Sequence, residues 1–267
     1  LRNMRKFFTL ILAGIAAVAC GNRTQRPAAA QPTIVEPRYY GYTVRQSYPH
    51  STESYTQGLQ FVDGKLLEGT GQNGKSVLQE TDLATGRTRI IARLKPSEFG
   101  EGITRLNGEI FQLTWTSNTV HIYDAATGRE TRSARYAGEG WGLTTDGEKL
   151  YMSNGSATIY RIDPATFRRE GSVTVTCKGE PLELLNELEW IDGKIWANIY
   201  TTDWIAVIDP ATGVVEGLVD LRGLLPEEER TPETDVLNGI AWDAATGRIF
   251  VTGKNWSRIF EIEINER

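Results

Sequence analysis

One carboxylate and one amine in this sequence stand where they could move protons together. Glu101 lies between two glycines in Phe99-Gly100-Glu101-Gly102, where the backbone can approach another group closely. Lys254 stands at a position that we expect to share a pocket with Glu101. The amides and aromatic side chains expected around them are Gln57, Asn186, Asn238, Trp115, Trp141 and Tyr200. Such a set suits proton transfer on a small polar substrate.

These residues occupy equivalent places in a repeat. The residue directly before the first strand of each repeat is, in order, Gln57, Glu101, Trp141, Asn186 and Asn238. Fourteen residues later, at the end of the second strand, stand Gly71, Trp115, Gly155, Tyr200 and Thr252. The fifth hairpin is two residues longer, so Lys254 takes the equivalent place there. In a ring, these positions converge on one mouth of the central channel, which favours a binding site over packing anchors or turn residues.

The repeat itself is read from turns and strands. Five segments begin at Gly58, Gly102, Gly142, Glu187 and Gly239, 40 to 52 residues apart. Each runs into a hairpin turn such as Asp63-Gly64 or Asn107-Gly108. These residue pairs indicate a hairpin turn because both turn residues must tolerate positive φ. A third strand follows and ends in an Asp-x-x-Thr-Gly turn or its variant, at Asp82, Asp124, Asp163 and Asp209.

A period of this length with four strands is typical of a propeller blade. The sequence therefore predicts an all-β, five-bladed β-propeller. The fifth unit ends at Glu263 after three strands, and Tyr40–Arg45 is a strand without a unit of its own. We expect this N-terminal strand to pair into the last blade and close the ring, whereas an open β array would leave two unpaired edges.

The N-terminal region predicts export. A basic start precedes an apolar run from Phe7 to Ala19 and small residues before Cys20, so residues 1–20 are expected to be a signal peptide with a lipobox-like end. Lipid on Cys20 would anchor an exported, periplasm-facing or cell-surface protein, the alternative being a plain signal peptide. Residues 21–37, rich in Ala, Gln and Pro, are predicted to be a flexible tether, and residues 38–267 the propeller.

Composition excludes several classes of function. The net charge of −5 without a basic cluster argues against nucleic-acid binding. With lipidated Cys20, Cys177 has no partner for a disulfide. His50 and His121 are the only histidines, which argues against a Ser-His-Asp triad or a histidine-rich metal site.

Two rival functions stay open on these grounds. One is a propeller that only binds or scaffolds other molecules, because fold does not fix function. The other is a metal-dependent, lactonase-like hydrolase, which would need several carboxylate and Asn ligands at the mouth, whereas the sequence offers one carboxylate there, Glu101, with Glu187 next to the ring of mouth residues. Asn186 and Asn238 leave room for a structural cation in the central channel. We expect no catalytic cofactor.

A series of short motifs resembles the plant and bacterial glutamine cyclotransferases. The motifs, in order between Tyr40 and Glu263, are Tyr48-Pro49-His50, Tyr55-Thr56-Gln57-Gly58-Leu59, Phe99-Gly100-Glu101-Gly102-Ile103-Thr104, Gln112-Leu113-Thr114-Trp115, Gly140-Trp141-Gly142-Leu143, Leu185-Asn186-Glu187-Leu188-Glu189, Leu237-Asn238-Gly239-Ile240-Ala241 and Val251-Thr252-Gly253-Lys254-Asn255-Trp256. The resemblance implies a five-bladed propeller that converts the N-terminal glutamine of peptides or proteins into pyroglutamate, releasing ammonia without a catalytic metal. We expect the protein to be a monomer.

The resemblance also implies roles for single residues. Glu101 is similar to the family's catalytic acid/base, and the residues similar to its substrate pocket are Gln57, Trp115, Trp141, Asn186 and Lys254. Tyr55 stands where the family more often has Phe, and Tyr200 where it often has Trp. Both keep an aromatic wall and add a hydroxyl group, so affinity or substrate preference is expected to differ more than the reaction.

Overall fold

The computed structural model describes residues 34–267. They form 22 strands, numbered β1 to β22 in chain order, and one short 3-10 helix at Glu227–Glu229. No helix within this part of the chain is long and apolar enough to cross a membrane. The predicted signal peptide, Cys20 and most of the predicted tether lie outside the described residues. Residues 34–37 have no regular secondary structure, although Glu36 pairs with Lys178 at 2.7 Å.

The strands form five antiparallel blades. The first blade contains β2 (Thr56–Val62), β3 (Lys65–Thr70), β4 (Val77–Thr81) and β5 (Thr88–Arg93). The second contains β6 (Gly100–Leu106), β7 (Glu109–Thr114), β8 (Thr119–Asp124) and β9 (Glu130–Arg135). The third contains β10 (Leu143–Thr145), β11 (Leu150–Met152), β12 (Thr158–Ile162) and β13 (Arg169–Thr174). A small hairpin, β14 (Thr176–Cys177) with β15 (Glu180–Pro181), precedes the fourth blade.

The last two blades are joined because their outer strands pair with each other. The fourth blade contains β16 (Leu185–Ile191), β17 (Lys194–Ile199), β18 (Trp204–Ile208) and β19 (Val215–Asp220). The fifth contains β20 (Leu237–Asp243), β21 (Arg248–Gly253), β22 (Arg258–Glu266) and, as its fourth strand, β1 (Arg38–Pro49). The start of β1 also pairs in parallel with β19, which joins the two blades into one eight-stranded sheet.

The ring is closed as predicted. Strand β1 runs antiparallel to β22 from Tyr40–Glu266 to Pro49–Arg258, so both ends of the propeller meet in one blade. The first strands of neighbouring blades contact one another in cyclic order, from β2 through β6, β10, β16 and β20 back to β2. The all-β, five-bladed propeller is therefore confirmed, with its first strands around the central channel. Strands β1 and β22 are both longer than the sequence predicted.

The core is divided among the interfaces between blades, and β3 shows why. Leu66 packs with residues of the fifth blade, whereas its neighbour Leu67 packs with residues of the second blade. Successive side chains of a strand point to opposite faces, so one strand supplies two interfaces. Each of the five interfaces holds its own apolar cluster.

Polar side chains also connect the blades around the channel. Both carboxylate oxygens of Glu187 accept backbone N–H groups from other blades, from Leu59 at 3.1 Å and from Ile240 at 2.9 Å. Glu189 accepts the backbone N–H of Trp242 at 3.0 Å. At the first position of the repeat, where the other four repeats carry a glycine, the fourth carries Glu187. Its hydrogen bonds connect the fourth blade to the first and the fifth.

The predicted turns have the predicted chemistry. Asp63 and Asn107 adopt positive φ and each precedes a glycine that does the same. Asp82 and Asp124 accept the backbone N–H three residues ahead, both at 2.8 Å. Asp163 and Asp209 do the same in their turns. The turns thus fix the register that brings equivalent residues of each blade to the same end of the channel.

Candidate functional site

Eight of the predicted site residues line one cavity at one mouth of the channel. The cavity has a volume of about 250 Å³. The predicted residues that line it are Tyr55, Gln57, Glu101, Trp115, Trp141, Asn186, Tyr200 and Lys254. Phe99, which sequence reasoning left among the motif residues, lines it as well. A larger polar groove of about 980 Å³ shares Tyr55 with it but contains neither Glu101 nor Lys254.

Irregular strand pairing directs these side chains towards the cavity. The sequence placed Gln57, Glu101 and Asn186 just before the first strands, but each lies inside one. The pairing of β2 with β3 shifts register between Thr56 and Gly58, and β6 and β16 shift at the equivalent places. A bulged residue leaves the regular ladder, and its side chain is re-aimed. The hydrogen-bonded strand therefore begins earlier than the periodicity suggested, and the bulge presents the functional side chain.

Two glycines beside the site allow the first strands to come close together. The backbone N–H of Gly102 donates to the carbonyl of Trp141 at 2.7 Å, and a Cβ on Gly102 would lie 2.6 Å from the backbone nitrogen of Leu143. A Cβ on Gly142 would clash with the carbonyl oxygen of Asn186. The glycine that follows each of Glu101 and Trp141 therefore keeps the mouth narrow.

Glu101 is a buried carboxyl group whose environment favours the protonated form. Its exposed fraction is 4%. Burial raises the pKa of Glu101 well above its usual value, and the nearby Glu139 adds to the rise against the opposing charge of Lys254. A carboxyl group with a raised pKa can take up and return a proton near neutral pH.

Lys254 is held between two aromatic rings. Its Nζ lies 4.9 Å from the ring centre of Tyr55 and 4.6 Å from that of Tyr200. Burial lowers the pKa of Lys254, although the charges of Glu101 and Asp235 oppose this effect. Tyr55 and Tyr200, which were predicted to form an aromatic wall, are thus the two rings that contact the ammonium group, a cation–π arrangement.

The aromatic residues and Lys254 form a closed circuit around the mouth, here named the rim circuit. Its members, in order, are Trp115, Phe99, Tyr55, Lys254, Tyr200, Trp141 and Glu139. The ring centres of neighbouring aromatic members are 5.6 to 6.0 Å apart. Glu139 completes the circuit, because its Oε2 accepts the indole N–H of both Trp115, at 2.7 Å, and Trp141, at 2.8 Å.

Two acidic residues behind the aromatic wall were missed by the sequence reasoning. Glu139 lies two residues before Trp141, and Asp235 lies in the loop before β20, where it accepts the hydroxyl of Tyr55 at 2.9 Å. The position of Glu139 beside the Gly140-Trp141-Gly142 motif was a signal that could have identified it. Asp235 had none, since its long loop has no counterpart in the other repeats.

The two asparagines have different positions. The side chain of Asn186 is buried, and its Oδ1 has no hydrogen-bond partner among residues 34–267, so it can accept an N–H from a bound molecule. Asn238, predicted as a possible member of the site, does not line the cavity. Its Nδ2 donates to the carbonyl of Thr56 at 2.9 Å and to Oε1 of Gln57 at 3.2 Å. Asn238 therefore supports Gln57 from behind, because the bulge in β20 turns its amide towards β2.

The two histidines lie outside the cavity. His50 contacts Glu68, and His121 contacts Glu98 and Glu130. The described part of the chain contains no group of three His, Cys, Asp or Glu side chains arranged to hold a metal ion. Glu187, the carboxylate next to the mouth, uses both oxygens for backbone N–H groups.

Comparison with known proteins identifies the family of this chain. Residues 14–264 match the model of the glutamine cyclotransferase family. The chain is 39% identical over 225 residues to the glutaminyl-peptide cyclotransferase of Arabidopsis thaliana, covering 82% of this chain and 70% of that protein. Its structure is similar to the crystal structure of Myxococcus xanthus glutaminyl cyclase, with a TM-score of 0.79 and 35% identity over 87% of this chain and 100% of the other. The chain therefore belongs to the glutamine cyclotransferase family.

Proposed function

We propose that this chain is a glutaminyl-peptide cyclotransferase, which converts the N-terminal glutamine of peptides or proteins into pyroglutamate and ammonia. The observation that carries the proposal is Glu101, a buried carboxyl group with a raised pKa, in one aromatic-walled cavity with Lys254. Family membership supplies the reaction, and this geometry supplies groups that can perform it.

The reaction needs folding of the substrate and movement of protons. The α-amine of the glutamine attacks the carbon of its own side-chain amide, a C–N bond forms, and the bond to the leaving nitrogen breaks. Because both groups belong to one residue, the site contributes mainly by holding the side chain folded back. The indoles of Trp115 and Trp141 and the ring of Tyr200 wall the cavity and suit this task.

Glu101 acts as the proton shuttle in this proposal. Its carboxylate takes the proton that the attacking nitrogen loses and returns it to the leaving nitrogen, so that ammonia departs as a neutral molecule. A free α-amine has a pKa of about 7.7–8.0, so part of it is already unprotonated near pH 8. Burial raises the pKa of Glu101 towards the pH at which this carboxyl group must both accept and donate a proton.

Lys254 and the amides bind the reacting amide group. The ammonium of Lys254, held between Tyr55 and Tyr200, donates to the amide oxygen as negative charge develops on it. The free Oδ1 of Asn186 accepts an N–H of the substrate. Gln57, fixed by Asn238, presents its amide to the same cavity. All of these steps use side chains alone, so we propose that no metal ion takes part.

The test is incubation with glutaminyl-alanine, following ammonia and pyroglutamate with and without a chelator. We expect both products in equal amounts and no effect of the chelator. Loss of activity on chelation would favour the metal-dependent hydrolase chemistry instead. Folded protein that releases no ammonia would favour a propeller that only binds other molecules.

We propose further that the protein is exported and anchored by lipid on Cys20, on the strength of the apolar run and small residues before that cysteine. Expression in bacteria with a labelled fatty acid should label the wild type and not Cys20→Ser.

We also propose that the enzyme is a monomer, because one chain supplies every residue that lines the cavity. Light scattering of the exported domain tests this directly.

A further inference from the structure

Two members of the rim circuit, Trp115 and Trp141, are connected through Glu139, which does not line the cavity. Trp115 follows β7 of the second blade and Trp141 lies two residues before β10 of the third blade, and Glu139 joins their side chains. Trp115 is 40% exposed, so packing alone restrains its indole weakly. A single oxygen of Glu139 accepts both indole N–H groups, which fixes the distance between the two indole nitrogens.

From this geometry, and resting on the proposed function, we propose that Glu139 is a positioning residue for the cyclisation. Its carboxylate joins the indoles of Trp115 and Trp141 and so sets the width of the slot in which the glutamine side chain folds back. Glu139 acts through the two indoles and does not itself line the cavity.

The backbone around Glu139 is built to hold this carboxylate in place. Gly138 has a positive φ of 77°, and the backbone N–H of Gly140 donates to the carbonyl of Trp115 at 3.3 Å. A Cβ on Gly140 would lie 2.5 Å from the hydroxyl oxygen of Tyr136. The segment therefore approaches the second blade closely, and this brings the Glu139 carboxylate within reach of both rings.

The charge of Glu139 provides a second readout. After burial, which is the largest cause, the charge of Glu139 adds to the rise of the Glu101 pKa. The other titratable groups that face Glu101 are the ammonium of Lys254 and the phenols of Tyr55, Tyr136 and Tyr200. Lys254 opposes the rise, and the phenols are neutral near pH 8. Removing the charge of Glu139 should therefore lower the pKa of Glu101.

The test compares two variants of Glu139 with a matched control. Glu139→Gln removes the charge but keeps a side-chain oxygen that can accept the N–H groups of both indoles. Glu139→Ala removes this acceptor as well. The control is Glu183→Gln, which removes an exposed carboxylate from the loop before β16. For each protein, kcat and KM for glutaminyl-alanine are measured across pH, together with thermal unfolding and tryptophan emission.

We expect KM to rise about ten- to a hundredfold in Glu139→Ala, the usual effect of losing hydrogen bonds to a charged group. In Glu139→Gln, we expect a KM near that of the wild type and an acid limb of the kcat/KM profile at lower pH, since the pKa of Glu101 falls. Glu183→Gln should change neither value. A purely structural role would lower the unfolding temperature of Glu139→Ala and leave both the pH profile and KM of the folded enzyme unchanged.

Two results would overturn the proposal. One is a KM for Glu139→Ala within twofold of the wild type, and the other is an equal rise of KM in Glu183→Gln. If the wild type releases no ammonia at all, the proposed function fails, and tryptophan emission still tests the positioning of the indoles. Emission that is the same in Glu139→Ala and the wild type would then show that Glu139 does not hold them.

Discussion

Two of the buried glutamates, Glu68 and Glu101, have surroundings that differ sharply. Behind the first blade, Glu68 accepts the hydroxyl of Thr56 at 2.7 Å and the amide of Gln79 at 2.8 Å, and it pairs with His50 at 3.0 Å. Burial alone would raise the pKa of Glu68, but the charge of His50 and these hydrogen bonds lower it. At the channel mouth, burial prevails, and the pKa of Glu101 is raised.

The two regions differ in how completely each carboxylate is satisfied. Glu68 is 0% exposed and Glu101 is 4% exposed, so burial is nearly the same. Three side chains of the protein contact the Glu68 carboxylate, whereas Glu101 has a hydrogen bond from Gln57 and faces a cavity open to a substrate. The Glu68 cluster, which consists of Glu68, His50, Thr56 and Gln79, therefore stabilises the folded protein. Glu101, in contrast, is poorly stabilised in its ionised form when the protein folds. Such an exchange of stability for function is common at active sites.

The largest expected effect is on catalysis at Glu101. Glu101→Gln should lower kcat for glutaminyl-alanine by about 10²- to 10⁴-fold, the usual contribution of general acid–base catalysis. Its free energy of unfolding at pH 8 should not fall, because the amide replaces a carboxylate that burial disfavours. The matched control is Glu189→Gln, which removes another buried carboxyl group, with a pKa raised by burial to about 8, outside the cavity lining. Near-normal turnover by folded Glu101→Gln would remove Glu101 from the mechanism.

The converse change is expected at Glu68. Glu68→Ala leaves His50 buried without its partner, and loss of one member of a buried pair typically costs about 3–5 kcal/mol of unfolding free energy. Urea unfolding at pH 6 measures this loss. The kcat of the remaining folded enzyme should be close to that of the wild type. If Glu68→Ala were as stable as the wild type but inactive, the division between the two regions would be wrong.

The Glu68 cluster should also show a pH window. Burial lowers the pKa of His50, but Glu68 raises it overall, so its contribution is complete below the usual value of 6.5 and is lost as pH rises through the raised value. Glu68, with a lowered pKa, contributes above its usual value of 4.5 and loses this contribution as pH falls through the lowered value. The unfolding free energy lost in Glu68→Ala should therefore be greatest between pH 4.5 and 6.5. A difference that does not vary with pH would contradict the ion pair.

The smallest effects are expected at the two tyrosines beside Lys254. Tyr55→Phe removes the hydrogen bond to Asp235, whereas both Tyr55→Phe and Tyr200→Phe keep the ring that contacts the ammonium group. A hydrogen bond to a carboxylate is worth about 1.5–3 kcal/mol. Asp235 does not line the cavity, so only part of this loss reaches substrate binding, and we expect KM to rise about fivefold in Tyr55→Phe. Tyr200→Phe should change KM less than twofold. A larger effect at Tyr200 would show that its hydroxyl, and not only its ring, contacts the substrate.

Sequence reasoning reached the fold and most of the cavity because both depend on the repeat. Turn residues such as Asp63 and Asp82 fix local geometry, and a ring places equivalent residues such as Glu101 and Lys254 at one mouth. The motif beside Glu139 could have marked it as a site residue, but its contact with both indoles could not be deduced, because no periodicity encodes a contact between side chains of two blades. The position of Asn238 was missed for a related reason, since a bulge changes the direction of a side chain without changing the sequence pattern.

The most direct test of this account is the titration of the two glutamates themselves. Carboxyl ¹³C labelling of glutamate, with signals assigned by difference from Glu101→Gln and Glu68→Gln, gives the pKa of each group in the folded protein. The account predicts that Glu101 titrates well above the usual value of 4.5 and that Glu68 titrates below it. If Glu101 titrated at or below 4.5, burial at the mouth would not prepare it to exchange protons near neutral pH, and the assignment of Glu101 as the shuttle would be contradicted.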